Sequence, residues 1–361
     1  MIRRFFRFLL TRPIRWLSDR YSSAPKQQDV MTALSELYKS IIVSPGKKGE
    51  LVAFKPHEQP VIIFSDQHKG ARNGSDDFTS AEKNYIAALD YYNDHQFYYI
   101  NLGDSEELWE NTIFQVMKHN KACFKKEQLF VQRKAYCKIY GNHDLFWDND
   151  PLSGIVLRID LAETNLDIFC THGHQGDAQS DGNAFSKWFV SNVWGPLQSF
   201  LRINPNTPST NDENKTMHNQ YMYEWSAAQN NTVLITGHTH QPVFNSLTHL
   251  ERLYLRLEEA TVINDKSAVE KITNEIPRRK REYDFVNHSF RNMKPSYFNS
   301  GCCCFEDGTI TGIEIADGFI RLVKWGYING ASVRTVAEEA SLETLSNTII
   351  RFTKNQTASL K

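Results

Sequence analysis

Residues 136–144 read YCKIYGNHD: a short strand, then a glycine followed by Asn142, His143 and Asp144. The same pattern recurs on both sides. Upstream it appears at 61–68 (VIIFSDQH) and 97–104 (FYYINLGD), downstream at 166–174 (LDIFCTHGH) and 232–240 (TVLITGHTH). Five successive strands therefore each end in Asp, Asn or His. Residues 80–94 (SAEKNYIAALDYYND) read as a helix between the first two strands. Residues 309–315 and 319–325 alternate around Asp317-Gly318, a hairpin signal. Strand–helix alternation followed by an antiparallel run predicts an α/β sandwich. If the five strands share one mostly parallel sheet, their C-terminal ends converge on one crevice, where α/β ligands bind.

The residues at those ends are metal ligands by type. In Asp66-x-His68 and His238-x-His240, residues two apart lie on the same side of an extended chain, within reach of one ion or of two neighbouring ions. Carboxylate, imidazole and carboxamide without thiolate suit Mn, Fe or Zn. Asp104 follows a strand and Gly103, and its two oxygens could bridge two ions. A single such histidine is more often hydrogen-bonded than ligating. The ordered set is what carries the signal.

That set resembles the calcineurin-like metallophosphoesterases. The match is Asp66-x-His68, Gly103-Asp104, Gly141-Asn142-His143-Asp144, His172 and Gly237-His238-x-His240, in order, over residues 60–325. Phe298-Asn299-Ser300-Gly301 looks like the family's closing strand. The resemblance implies a β-sandwich core flanked by helices, two divalent metal ions, and hydrolysis of a phosphate ester or pyrophosphate by a bridging hydroxide. It implies that Asp66, His68 and His240 hold one ion, that Asn142, His172 and His238 hold the other, and that Asp104 bridges. His143 would protonate the leaving oxygen, with Asp144 orienting it. Glu107 is expected as an acceptor behind a ligand histidine. His174 is expected near the centre or the substrate. Lys69, Arg72 and Asn73 are candidates to offset phosphate charge.

Gly103-Asp104-Ser105-Glu106-Glu107-Leu108-Trp109 also looks like the G-D-x-x-E-x-W segment of the UDP-2,3-diacylglucosamine hydrolases. Those enzymes carry a helical insertion over acyl chains, and residues 178–230 occupy that place here. His143 and His172-Gly173-His174 depart from that subgroup, which has arginine and His-Gly-Asp there. A lipid-linked substrate is therefore one alternative, and a non-catalytic binding scaffold of the same fold is another.

Composition bounds the rest. Of 361 residues 40% are hydrophobic, enough for a large core, which rules out wholesale disorder. Lys+Arg 41 against Asp+Glu 42 leaves no basic excess and no nucleic-acid signal. Residues 1–21 are expected as a basic amphipathic helix, with Ile2, Phe5, Phe6, Leu9 and Leu10 on one face and arginines off it. Residues 2–17 could thus meet a membrane surface. No apolar run is long enough to span one, so the chain reads as cytoplasmic, with peripheral membrane contact an option. Residues 22–59 read as linker and lead-in, 60–335 as the metallophosphoesterase domain, and 336–361 as a tail. Helical insertions are expected at 178–230 and 247–290, the latter with Leu250, Leu253, Tyr254 and Leu257 at helical spacing. Cys302, Cys303 and Cys304 read as buried reduced thiols. Neighbours in a strand face opposite ways, so these three are expected to chelate poorly.

Overall fold

The fold is taken from a computed structural model, which describes residues 26–73, 76–144, 151–161, 164–176, 212–280 and 293–359. The expected amphipathic helix at 1–21 and the apolar residues of 185–201 lie outside these.

The strands sort their side chains by the two-residue period of an extended chain. Strands β2 (Val61–Phe64), β3 (Tyr98–Asn101), β5 (Gly154–Asp160), β6 (Asn165–Thr171) and β7 (Thr232–Thr236) are buried on both faces. Val61, Ile63, Ile100, Ile155, Leu157, Ile168, Val233 and Ile235 point into one shared core. Their neighbours point outward under helices. Ile62, Phe64 and Tyr99 pack beneath α2 (Glu82–Asp94) and α4 (Lys121–Gln132). Val156, Phe169 and Leu234 pack beneath α1 (Gln27–Val43) and α5 (Asp212–Ala228). The result is two sheets face to face with helices outside, the expected α/β sandwich.

The five strands do not share one sheet. With β1 (Gly49–Ala53), β8 (Val243–Phe244), β9 (Leu247–Thr248) and β10 (Tyr297–Asn299), the first sheet runs β1-β5-β6-β7-β10-β8-β9. With β4 (Tyr136–Lys138), β11 (Ile310–Ala316), β12 (Phe319–Ile328) and β13 (Ala331–Ser341), the second runs β13-β12-β11-β2-β3-β4. β2, β3 and β4 are parallel in one sheet, and β6, β7 and β10 are parallel in the other. The crevice therefore lies between the ends of both sheets. The β11–β12 hairpin turns at Asp317-Gly318, both with positive φ, as predicted.

Two boundaries need correction. Residues 22–59 are not a linker throughout, because α1 and β1 belong to the domain. Gln27, Gln28 and Asp29 form the exposed first turn, and Val30, Leu34, Leu37 and Ile41 follow as a buried stripe at i, i+4, i+7 and i+11. Nor is 336–361 a tail, since a boundary at 335 cuts β13. Helix α8 (Leu342–Ser359) sends Leu342, Leu345 and Ile349 into the core between the sheets.

Within the expected 247–290 insertion, of which residues 281–290 lie outside the described residues, α6 (His249–Val262) and α7 (Lys266–Arg279) close on Leu250, Leu253 and Ile276, with Tyr254, Leu257 and Ile272 around them. Thr248 and Glu251 form a capping box at the start of α6. Between β3 and β4, α3 (Ile113–His119) begins on a second capping box, Thr112 with Gln115.

Candidate metal centre

Each strand ends in a tight turn that aims a side chain at the crevice. Asp66, His68, Asp104, His238 and His240 all hold positive φ, between 49° and 67°. Non-glycine residues rarely adopt this region, and strain of this kind gathers at functional sites. Backbone hydrogen bonds lock the turns to one another. Asp66 N donates to Gly103 O at 2.9 Å, His68 N to Asp104 O at 2.9 Å, and Gly237 N to His172 O at 2.9 Å. Glycine is required where turns touch: a Cβ on Gly141 would sit 2.1 Å from Asp104 Oδ1, and one on Gly237 2.4 Å from Asp66 Oδ2.

Three overlapping triads result. Ligand atoms of Asp66, His68 and His240 lie within 4.8 Å of one another, as do those of Asp104, His172 and His238, and those of His68, Asp104 and His143. His240 Nε2 is 3.2 Å from Asp66 Oδ1, and His172 Nε2 is 3.2 Å from Asp104 Oδ2. His68 Nε2 stands 3.7 Å from Asp104 Oδ2, so Asp104 joins the groups. Their backs are fastened. Asp66 Oδ2 accepts from His238 N at 2.9 Å and Asp104 Oδ1 from His143 N at 2.8 Å. Asn142 is buried beside them.

His68 Nε2, Asn142 Oδ1 and His238 Nε2 are buried without a hydrogen-bond partner. An unpaired buried polar atom costs about 1–3 kcal/mol. Such atoms beside two buried carboxylates fit a cation rather than a packing defect. The donor set, imidazole with carboxylate and one carboxamide, suits Mn, Fe or Zn.

The electrostatics are those of a proton-filled cation site. Burial alone would lower His172 and His240. The neighbouring Asp104 outweighs it at His172, which rises to about 9; the Cys302 thiol and Asp66 outweigh it at His240, which rises to about 10. Burial would raise Asp66 and Asp104, yet His240 beside the first and His172 beside the second hold both below the usual carboxylate range. His238 is pushed well down by burial and by His172.

Glu107 stands behind these residues. Its Oε2 is 3.0 Å from His68 Nδ1 and 2.7 Å from His143 Nδ1. Burial would lower His143, but Glu107 and Asp104 bring it up to about 10. Trp109 stacks on the His143 ring at 4.9 Å, and its Nε1 donates to Asn142 O at 2.5 Å.

Several expected roles fall elsewhere. Asp144 does not contact the His143 ring. Its carboxylate accepts from Gly141 N at 2.6 Å and Ser105 N at 2.9 Å, tying two turns together, so Glu107 takes the orienting place. Lys69 is fully buried, with Nζ 2.6 Å from Glu127 and 3.2 Å from Glu106; a buried ammonium needs such partners and is not available to substrate. Glu106 also meets Lys138. Arg72 pairs with Glu82 at 2.5 Å and donates to Thr79. Asn73 donates to Asn111, which donates to Glu107 O, so it braces the Glu107 turn. His174 does lie at the centre, its ring 5.3 Å from His172, and burial and then His172 push it down to about 3.

Two residues were not foreseen. His218 on α5 places its ring 5.2 Å from His238 and its Nε2 2.6 Å from Gly173 O. The signal was present: His218, Met222 and Trp225 make the i, i+4, i+7 stripe of that helix's buried face. Asp77 faces His68, Glu107 and His240, and burial raises its carboxyl. Cys302, Cys303 and Cys304 are free and buried, as expected, and Cys303 points away from its neighbours. Cys303 turns into the helix-covered core, while Cys302 and Cys304, two apart, both face His240. Burial would raise the Cys302 thiol, but Cys304 and His240 beside it bring it down to about 6.

No protein-family model matches the chain, and no curated protein does. Solved structures do. A predicted phosphoesterase from Streptococcus pneumoniae TIGR4 is 12% identical over 77% of this chain and 97% of that one, with a TM-score of 0.28. Vacuolar Protein Sorting 29 from Cryptosporidium parvum is 12% identical over 78% and 98%, with a TM-score of 0.30. A dimetal phosphatase from Danio rerio is 8% identical over 78% and 99%, with a TM-score of 0.29. Likeness at this level adds nothing to the geometry of the residues themselves.

Proposed function

We propose that this chain is a calcineurin-like metallophosphoesterase that hydrolyses a phosphate ester or pyrophosphate with two divalent ions. One observation carries the reading: Asp66, His68 and His240 on one side and His172 and His238 on the other bring ligand atoms together around the Asp104 carboxylate, with His68 Nε2, Asn142 Oδ1 and His238 Nε2 buried there without a hydrogen-bond partner. Asp66, His68 and His240 would hold one ion, Asn142, His172 and His238 the other, with Asp104 shared. A pair of bound cations acidifies water and screens the charge of an in-line phosphoryl displacement.

The remaining steps belong to the chain. Asp66 and Asp104 each spend one oxygen on a backbone N–H, which fixes the direction of the other. Glu107 accepts from His143 Nδ1, which leaves Nε2 for the substrate. Glu107 favours the protonated form of His143, and an Nε2–H there would be given to the leaving oxygen. Trp109 and Glu107 hold that ring in one plane.

The test is hydrolysis of an aryl phosphate, an aryl phosphodiester and UDP-diacylglucosamine by protein reloaded separately with Mn, Fe and Zn. Asp104→Asn should reduce turnover by orders of magnitude and reduce bound metal. Full turnover in metal-depleted protein overturns the reading. Metal binding with no hydrolysis of any substrate would favour the scaffold alternative.

A narrower reading, a lipid-linked pyrophosphate as substrate, draws support from Glu107 and Trp109. Both residues of the G-D-x-x-E-x-W segment pack on His143. Activity on UDP-diacylglucosamine far above that on the aryl esters would establish it. Liposome co-sedimentation of the full chain against residues 22–361 tests membrane contact through the first helix, and equal partitioning removes it.

A further inference from the structure

The cysteine run holds a second set of metal-ligating atoms. The loop after β10 is pinned to the end of β2, since Cys303 N donates to Ser65 O at 3.2 Å and to Asp66 O at 3.1 Å. That anchor buries Cys303 and turns Cys302 and Cys304 together toward the centre. His240 stands between the two groups. Its Nε2 is 3.2 Å from Asp66 Oδ1, and its Nδ1 is 3.8 Å from Cys304 Sγ. The ligand atoms of His240, Cys302 and Cys304 lie within 4.8 Å of one another.

We propose that His240, Cys302 and Cys304 form a separate site for a thiophilic cation, Zn2+ first among them, abutting the Asp66–His68–His240 triad. Zn–S of about 2.3 Å and Zn–N of about 2.0 Å place tetrahedral ligands about 3.3–3.8 Å apart. The observed spread closes to that with small side-chain rotations. Two sulfurs and one nitrogen make a soft donor set, unlike the oxygen and imidazole of either triad, so the cations each prefers differ. Binding requires both thiols as thiolates, and their protons leave to solvent. His240 can serve the centre through Nε2 or the thiolate site through Nδ1, and can serve both at once only as imidazolate, with its ring protons also leaving to solvent, so filling one site bears on the other. The site would stand even in a chain without hydrolytic activity.

The test uses reduced, metal-depleted full-length protein titrated with Cd2+, read by thiolate-to-cadmium absorption in the ultraviolet. Oxygen and imidazole ligands give no such band. The band should saturate at one site, fall by half in Cys302→Ser and in Cys304→Ser, and vanish in the double variant. Cys303→Ser should keep it. Zn2+ should displace the cadmium and Mn2+ should not. Asp104→Asn should keep the band while losing metal from the centre, so failure of either site is seen separately. In the unaltered chain, Zn2+ should protect Cys302 and Cys304 from alkylation, read by peptide mass, which needs no variant to fold. No band, a band surviving in the double variant, or no protection would overturn the site.

Discussion

His143 is the residue on which turnover and metal retention should part. It lies beside Asn142, yet its ring is held from behind by Glu107 and from the side by Trp109. His143→Ala should leave bound metal near the normal level and lower turnover by about 10²–10⁴-fold, with the largest loss on poor leaving groups. Metal analysis beside steady-state rates checks it, and loss of metal would make His143 a ligand. Glu107 touches His68 as well, so Glu107→Gln should weaken both functions, by about 10–100-fold in metal affinity or rate. A change confined to one of them would mean that only one of the two contacts matters. At this scale the sequence was legible for the side chains that gather at the strand ends and obscure for their supports. Asp66, His68, Asp104, Asn142, His172, His238 and His240 sit at strand ends, where local order gives their place. Asp144, Lys69 and Arg72 were misjudged because their partners, Ser105, Glu127 and Glu82, are chosen by packing that no spacing rule contains.

Elements that carry no chemistry still set the position of the centre. The terminal helix α8 inserts Leu342, Leu345 and Ile349 between the sheets, and α1 seals the outer face of the first sheet with Val30, Leu34 and Ile41. Ile349→Ala and Leu34→Ala should each destabilise the fold by about 2–5 kcal/mol, measured by chemical denaturation. Specific activity of the folded fraction should change little. A stable Ile349→Ala protein would mean that α8 is an appendage after all. These helices were missed for a physical reason. Each buries only three or four of its apolar residues, and the partner that makes the stripe meaningful lies far along the chain. The strands were easier, because nearly every residue of a strand buried on both faces is apolar.

For the molecule as a whole, the histidines couple metal, protons and stability. His143, His172 and His240 are raised in the metal-free fold to about 10, 9 and 10. Their contribution is complete below the unfolded value of about 6.5 and is lost as pH rises through 9 and 10. Cys302, lowered to about 6, acts oppositely while the pH climbs from there toward its unfolded value, and offsets one of the three. Metal-free protein should therefore lose denaturation free energy from near neutrality to pH 10. Loading at pH 7 should release protons from His172 and His240, read with an indicator dye in weak buffer. Uptake without proton release would contradict the assignment of these two imidazoles.

The division of the strands between two sheets has one more effect. Asp66, His68 and Asp104 hang from one layer, and His172, His238 and His240 from the other. Each ion would thus act as a rivet through both layers and resist any sliding of one past the other. A core substitution that let the layers slip by a fraction of an ångström would silence the chemistry while circular dichroism stayed unchanged. Such a lesion, placed far from any ligand, would be repaired by excess cation.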